Sequence, residues 1–156
     1  MRIMKQSSKE KRYERIYEQI KTLIVATDDP IARMATINAL LHHKFNNYYW
    51  TGFYQLIDGN LIVGPYQGPI ACLKLKKDIG VCWAGINKKK TIIVPNVHDF
   101  PGHIACSSAT NSEIVVPVYN SNQEVVAVLD VDSKDFESFD EVDGKCLEKI
   151  VALIYS

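Results

Sequence analysis

Cysteine is the residue type with the clearest capacity for chemistry in this chain, and four cysteines occur among its 156 residues. Cys72 ends the stretch 64–72, which contains two glycines and two prolines. Cys106 ends the stretch 102–106 and follows the same Ile-Ala pair that precedes Cys72. Because two turn-rich segments each end on a cysteine, we expect a site at which two thiols meet. Cys82 follows the first of these cysteines closely and is the third candidate thiol.

The spacing of the cysteines does not fix their role. Thiols in a reducing compartment are more often catalytic or redox-sensing than structural, which favours a redox site. Cysteine is also frequently a small buried apolar residue, so Cys72, Cys82 and Cys106 could equally belong to a core. Cys146 falls on the apolar face of the last predicted helix and is interpreted as an inert core thiol.

Zinc binding is a further alternative for the same region. His98, His103 and Cys106 are close in sequence, and Cys72 or Cys82 could supply a fourth ligand. The chain contains no Cys-x-x-Cys and no His-x-x-x-His pair, so the zinc pattern is weak. We therefore predict no metal and interpret the segment between the two histidines as a turn.

Three acids and two aromatic residues could complete a site around the thiols. Glu113 precedes a run of apolar strand residues, while Asp130 and Asp132 alternate on another strand and therefore face the same side of a sheet. Such acids could bind an ammonium group or donate a proton, or they could be ordinary strand-end residues. Trp50 and Tyr54 also share a strand face and could form the wall of a pocket or part of a core.

The composition is that of an ordinary globular protein, with 47% apolar and 23% charged residues, and predicts a single domain over residues 1–156. Lys plus Arg and Asp plus Glu number 18 each, which argues against a broad surface for nucleic acid or an anionic membrane. The apolar runs are too short to cross a bilayer, and the N-terminal residues lack the apolar segment of a secretory signal. We therefore expect a cytoplasmic protein with no nucleic-acid or membrane partner.

The elements that must position these residues follow an α+β order. Two amphipathic helices are predicted within 9–44, the second capped by Asp29 with Pro30 at its first position. A closing helix over 139–154 is predicted from Ser138 as N-cap, with Glu141 three residues later as in a capping box. The helices should therefore collect on one face of the sheet.

The sheet and the loops of the site are predicted between residues 48 and 133. Period-two patterns and turn signals, including a hairpin turn at Asp58-Gly59, predict the strands. A short helix is predicted over 81–86, and the connection over 95–112 is long enough to suggest a functional loop. The predicted strands are 48–57, 60–63, 71–76, 91–94, 114–119 and 124–131.

Six segments taken together resemble a known family. They are WTGFY at 50–54, GPYQGPIAC at 64–72, GVC at 80–82, DFPGHIAC at 99–106, NSEIVVP at 111–117 and VLDVDS at 128–133. The chain is similar to the free methionine-(R)-sulfoxide reductases, which are stand-alone GAF-domain enzymes. The resemblance implies a GAF-like α+β fold with a central antiparallel sheet of about six strands and helices on one face.

The resemblance also implies a thiol mechanism that needs no metal or organic cofactor. Cys106 matches the catalytic thiol, Cys72 the resolving thiol and Cys82 an auxiliary cysteine. The implied reaction reduces free L-methionine-(R)-sulfoxide through a sulfenic acid and an intramolecular disulfide, which thioredoxin then reduces. Trp83 departs from the small residues that usually follow the auxiliary cysteine, and we expect it to alter access to Cys82 or the rim of the pocket.

The remaining candidate residues match the substrate site of the family. Trp50 and Tyr54 match an aromatic wall around the methyl-sulfoxide end, and Glu113, Asp130 and Asp132 match acidic substrate-binding residues. Pairing of GAF domains through their helices makes a homodimer an additional expectation. The alternative function is that of a non-catalytic GAF module that binds a small molecule and signals to a partner.

Overall fold

The protein is described by a computed structural model over residues 6–103 and 106–156. Ile104 and Ala105, which belong to the repeated Ile-Ala-Cys, lie outside the described residues. Within the described ranges the α-helices are α1 (Ser8–Leu23), α2 (Pro30–Lys44), α3 (Val81–Lys88) and α4 (Glu141–Val151). The strands are β1 (Trp50–Ile57), β2 (Asn60–Gln67), β3 (Lys74–Leu75), β4 (Ile92–Val94), β5 (Ser112–Tyr119) and β6 (Val125–Ser133).

The first two helices begin and pack as their sequences predict. Asp29 accepts a hydrogen bond from the backbone N–H of Ala32 at 3.0 Å, and Pro30 is the first residue of α2, which confirms the predicted cap. Helix α1 ends in a short 3-10 turn at Ile24–Ala26. The buried apolar side chains recur at helical spacing and are Tyr13, Ile16 and Ile20 in α1 and Met34, Ile37 and Leu41 in α2.

The strands form one antiparallel sheet in the order β3-β2-β1-β6-β5-β4. Strands β1 and β2 are joined by the predicted turn, where Asp58 and Gly59 both have positive φ angles of 50° and 78°. Two consecutive positive φ angles fit the twist of a tight hairpin, which explains the Asp-Gly pair. Strands β1, β6 and β5 occupy the middle of the sheet, so each of them is hydrogen-bonded to a neighbouring strand on both sides.

Strand β2 is longer than predicted and β3 is shorter. The sequence predicted that β2 would end at Val63, because Gly64 and Pro65 follow, but the strand continues to Gln67. The pairing with β1 shifts between Gly52 and Tyr54, which accommodates the two residues in a bulge. Strand β3 pairs with β2 only at its start, so the missing N–H of Pro65 lies on an unpaired edge.

The start of α4 differs from the sequence prediction. Ser138 is not the N-cap, because its hydroxyl lies 2.6 Å from the hydroxyl of Ser133. Asp140 is the cap instead, and it accepts hydrogen bonds from the backbone N–H groups of Val142 and Asp143. The side chain of Asp143 accepts a bond from the backbone N–H of Asp140 in return, so a capping box forms two residues later than predicted.

The sheet separates two apolar layers. Helices α1, α2 and α4 pack on one face against β1, β5 and β6, as predicted for the long helices. The short helix α3 packs on the opposite face with Trp50, Tyr54 and Val115, and this is the face that carries the candidate site. None of the helices formed by residues 6–103 and 106–156 is long and apolar enough to cross a bilayer.

Candidate active site

Strand register aligns the predicted acids and aromatic residues on one face of the sheet. Trp50 of β1 pairs with Asp132 of β6, which pairs with Glu113 of β5. In the next row on the same face, Gly52 of β1 pairs with Asp130 of β6. Because side chains two residues apart project from the same face, these pairings place the three carboxyl groups together.

An aromatic wall stands beside the carboxyl groups. The ring centroids of Trp50 and Tyr54 are 5.8 Å apart, and those of Trp50 and Tyr66 are 5.2 Å apart, both in stacked orientations. Gly52 lies between Trp50 and Tyr54 in sequence, and a Cβ at this position would lie 2.5 Å from a ring carbon of Trp50. Glycine is therefore needed at position 52 for the indole ring to lie across the strand.

Trp50 and Tyr54 of this wall also form hydrogen bonds to the loop that carries Cys72. The indole N–H of Trp50 donates to the carbonyl of Pro69 at 3.1 Å, and the hydroxyl of Tyr54 donates to the carbonyl of Cys72 at 3.2 Å. Gly68 begins this loop with a φ angle of 121°, and a Cβ there would lie 2.8 Å from a backbone oxygen. The conformation of the loop is thus set both by glycine and by hydrogen bonds from the two aromatic residues.

Cys72 and Cys106 form a disulfide bond. Their Cα atoms are 5.7 Å apart although 34 positions separate them in sequence. Cys106 is exposed, and Cys72 is half-buried. The expectation that the two loops bring their thiols together is therefore confirmed, while Cys82 and Cys146 are free thiols.

A cleft lies between the disulfide and the carboxyl groups. Seven of the eight predicted site residues line it, namely Trp50, Tyr54, Cys82, Cys106, Glu113, Asp130 and Asp132. Cys72 is the exception, because it contributes its bond to Cys106 without lining the cleft itself. The structure therefore brings all eight residues to one site.

The sequence reasoning missed several residues of the cleft. Thr110 is buried at its inner side, and Ser107 follows the disulfide cysteine. Ile79, two residues before α3, and Val81, the first residue of α3, contribute apolar surface. These positions carry no periodic pattern, and their common signal is proximity in sequence to a candidate cysteine.

The carboxyl groups are buried and repel one another. Glu113 and Asp130 are each 6% exposed, and one oxygen of Asp130 and one of Asp132 have no hydrogen-bond partner among the described residues. Burial first, and then the charges of the two aspartates, raise the pKa of Glu113 well above its usual range. Burial likewise raises the pKa values of Asp130 and Asp132. The cluster therefore retains protons at a pH where exposed carboxyl groups have lost them.

Cys82 is part of this buried cluster rather than of the disulfide. It is 5% exposed, and burial followed by the charges of Asp130 and Glu113 raises the pKa of its thiol well above the usual range. A thiol that stays protonated is a poor nucleophile. Trp83 is buried in the apolar layer beside Cys82 and does not itself line the cleft, and its effect on access to Cys82 or on the rim stays a prediction.

The zinc ligands considered from the sequence do not come together. His98 bonds through its Nε2 atom to Asn111 at 2.9 Å, and Cys106 is bonded to Cys72. His103 does line the cleft, and its Nδ1 atom is 4.0 Å from an oxygen of Glu113. Burial lowers the pKa of His103, with a further contribution from the charge of His98, which favours the neutral ring.

A different set of donor atoms has metal-ligand geometry. The donor atoms of Cys82, Glu113 and Asp130 lie within 4.8 Å of one another and are the group in the described chain that could hold an ion. Their raised pKa values mean that an ion would have to displace protons from all three. The chemistry that the residues themselves favour is proton donation beside the disulfide of Cys72 and Cys106.

Known proteins resemble this chain over nearly its full length, although no protein-family model matches it. A GAF domain-containing protein A from Dictyostelium discoideum is 46% identical over 149 residues, which cover 94% of this chain and 92% of the relative. A free methionine-R-sulfoxide reductase from Escherichia coli is 37% identical over 140 residues, which cover 90% and 84% of the two chains. The crystal structure of such a reductase from Neisseria meningitidis with its substrate superposes with a TM-score of 0.89 at 34% identity, covering 99% of this chain and 93% of that one.

Proposed function

The chain belongs to the free methionine-(R)-sulfoxide reductase family of GAF-fold oxidoreductases, and we propose that it reduces free L-methionine-(R)-sulfoxide to L-methionine with Cys106 as the attacking thiol. The observation that carries this proposal is the disulfide between Cys72 and Cys106 at the mouth of a cleft with buried carboxyl groups. Sulfoxide reduction needs both a thiol that can be oxidised and a proton donor for the departing oxygen.

The cleft supplies complementary surfaces for the two ends of the substrate. The stacked rings of Trp50 and Tyr54 offer apolar surface for the methyl-sulfoxide end. The unpaired carboxyl oxygens of Asp130 and Asp132 offer acceptors for an ammonium group. A peptide-bound methionine sulfoxide has no free ammonium group, so it would leave these buried oxygens unsatisfied, and this mismatch would favour the free amino acid.

The chemical step joins Cys106 to the sulfoxide. Its thiolate attacks the sulfur while a protonated carboxyl group of the cluster donates a proton to the oxygen. Glu113 is the candidate donor, because burial and the charges of both aspartates raise its pKa well above the usual range. The attack joins the two sulfur atoms; the oxygen then transfers to the Cys106 sulfur as the sulfur–oxygen bond of the substrate and the new sulfur–sulfur bond both break. Methionine leaves, and Cys106 is a sulfenic acid. The proton lost by the thiol replaces the one on the carboxyl group, so the step needs no external proton.

The second stage restores the enzyme. Cys72 attacks the sulfenic sulfur, water leaves, and the disulfide seen in the structure forms, which protects Cys106 from further oxidation. A dithiol protein, for which thioredoxin is the candidate, then supplies two electrons by thiol–disulfide exchange. One turnover thus converts one sulfoxide and one dithiol to methionine, water and one disulfide.

A coupled assay tests this function. The protein is mixed with thioredoxin, thioredoxin reductase, NADPH and the (R) or the (S) epimer of free methionine sulfoxide, and loss of NADPH is followed. We expect turnover with the (R) epimer for the wild type and for Cys146→Ser, and none for Cys106→Ser. A protein that binds the sulfoxide in calorimetry but shows no turnover with either thioredoxin or dithiothreitol would be a sensor, which refutes the proposal.

A further inference from the structure

An exposed apolar residue lies directly beside the disulfide. The side chain of Leu73 is 77% exposed, whereas the leucine side chains in the cores on both sides of the sheet are at most 9% exposed. Leu73 follows Cys72 in sequence and does not line the cleft, so the substrate does not account for its exposure. Ile70 is also exposed, at 87%, but it lines the cleft, so we attribute its exposure to the substrate site and do not include it in the surface described below.

The backbone fixes the position of Leu73. Its carbonyl accepts a hydrogen bond from the backbone N–H of Val63 in β2 at 2.9 Å, and the preceding carbonyl of Cys72 accepts one from Tyr54. The next residue, Lys74, begins β3 and pairs with Ile62. A leucine that is anchored on both sides and still points to solvent presents a defined apolar contact next to a sulfur atom.

The surface around Leu73 is positively charged. Lys74, Lys76 and Lys77 are exposed, and none of the ion pairs among residues 6–103 and 106–156 involves them. Asp78 is the acid next to them in sequence, and its carboxylate accepts a hydrogen bond from Asn87. Lysines therefore outnumber acids in the segment next to Cys72, although a second run of exposed lysines lies at 88–90.

We propose that Leu73 together with Lys74, Lys76 and Lys77 forms the docking surface for the dithiol protein that reduces the disulfide. This inference rests on the proposed function. The partner that fits has an apolar surface around its reactive thiol and acidic residues at the edge of that surface. Charge complementarity would speed its approach, and contact with Leu73 would hold its thiol against the disulfide.

The exchange itself follows from the exposure of the two cysteines. Cys106 is the more exposed of the pair, so the partner's thiolate attacks its sulfur, and the bond to Cys72 breaks. Cys72 leaves as a thiolate and takes up a proton. The second thiol of the partner attacks the mixed disulfide, releases Cys106 as a thiolate and leaves the partner oxidised by two electrons.

The test compares a protein reductant with a small one on the purified oxidised protein, without any sulfoxide. The second-order rate of disulfide reduction is measured with reduced thioredoxin and with dithiothreitol for Leu73→Ser and for the double variant Lys74→Glu, Lys77→Glu. Val25→Ser, which alters a side chain that is 84% exposed elsewhere, and Lys145→Glu on α4 are the matched controls.

We expect Leu73→Ser to slow reduction by thioredoxin about tenfold, as removal of a central interface contact does, and to leave reduction by dithiothreitol unchanged. The double charge variant should be reduced by thioredoxin more slowly than the wild type, mainly at low salt. The two control variants should be reduced at the rate of the wild type. Equal slowing with both reductants, or no slowing with either, would overturn the docking surface. Because the assay contains no sulfoxide, its outcome is independent of whether the sulfoxide-reductase function is correct.

Discussion

Replacing Glu113 by glutamine should remove a specific pH dependence of stability. The side chain is 6% exposed, and burial together with the neighbouring aspartates raises its pKa above the ordinary value of 4.5. A carboxyl group whose pKa is raised on folding contributes its full stabilisation below the pKa of the unfolded chain. That contribution is lost as the pH rises from there towards the pKa of the folded state. Glu113→Gln keeps the shape of the side chain and cannot titrate.

The size of the effect follows from the one proton involved. The folded wild type holds a proton that the unfolded chain has released, so its free energy of unfolding should fall by about 1 kcal/mol per pH unit relative to the variant. For a chain of 156 residues, 1 kcal/mol corresponds to a shift of about 2–4 °C in the melting temperature. Between pH 5 and pH 7 the wild type should therefore lose roughly 4–8 °C more than Glu113→Gln.

The measurement is calorimetric melting of both proteins at pH 5, 6 and 7 with the disulfide intact. Glu18→Gln, which alters an exposed carboxyl group on α1, should follow the wild type at every pH. The same Glu113→Gln variant should slow single-turnover reduction of the sulfoxide by about 10²–10⁴-fold, the usual contribution of a general acid.

A wild type and a Glu113→Gln variant with parallel melting curves across this pH range would refute the reasoning. Parallel curves would mean that Glu113 is already ionised at pH 5 in the folded protein. The carboxyl group could then bind a cation but could not donate a proton near neutral pH. Normal single turnover in the variant would independently exclude Glu113 as the acid.

Two further predictions concern the thiol and the packing on this face of the sheet. Cys82→Ala should retain turnover, and iodoacetamide should label Cys82 last in the reduced native protein, because its raised pKa keeps the thiol protonated; early labelling would contradict this. Gly85→Ala should lower the free energy of unfolding in urea by about 1–3 kcal/mol, because the new Cβ would lie 2.8 Å from a methyl group of Val115. Gly144→Ala on α4, where the nearest atom is 3.5 Å away, is the control and should not destabilise the protein.

The parts of the site that lie on strands were predictable from the sequence. Asp130 and Asp132 alternate along β6, and the period of two is sufficient by itself to assign both side chains to one face of the sheet. The antiparallel pairing with Glu113 across β5 follows from the same alternation once the strand order is given. The two turn-rich segments pointed to Cys72 and Cys106 as the thiols that meet, but their catalytic and resolving roles came from the resemblance, because spacing alone left a redox site and a buried core as alternatives.

The parts that escaped prediction depend on contacts between distant segments. The extension of β2 through Pro65 depends on a bulge against β1 and on the absence of a neighbour at that edge, and neither is visible in the local sequence. Asp140 caps α4 in place of the predicted Ser138, because the hydroxyl of Ser138 lies within hydrogen-bond distance of the hydroxyl of Ser133. Thr110 lines the cleft next to Asn111, whose backbone N–H donates to the carbonyl of Ser133 and so holds the end of the long loop against β6.

The carboxyl groups of the cleft lie on strands and the disulfide cysteines lie on loops, and this arrangement bears on the order of steps in the proposed reaction. The carboxyl groups that we propose as proton donors lie on β5 and β6 in the middle of the sheet, so pairing with neighbouring strands fixes their positions. The thiols lie on loops outside the sheet and are free to exchange between dithiol and disulfide. While Cys106 is bonded to Cys72 its sulfur cannot attack a sulfoxide, so in the proposed mechanism reduction by the dithiol protein must precede each new turnover. Under that mechanism the exposure of Cys106 serves the reductant as well as the substrate.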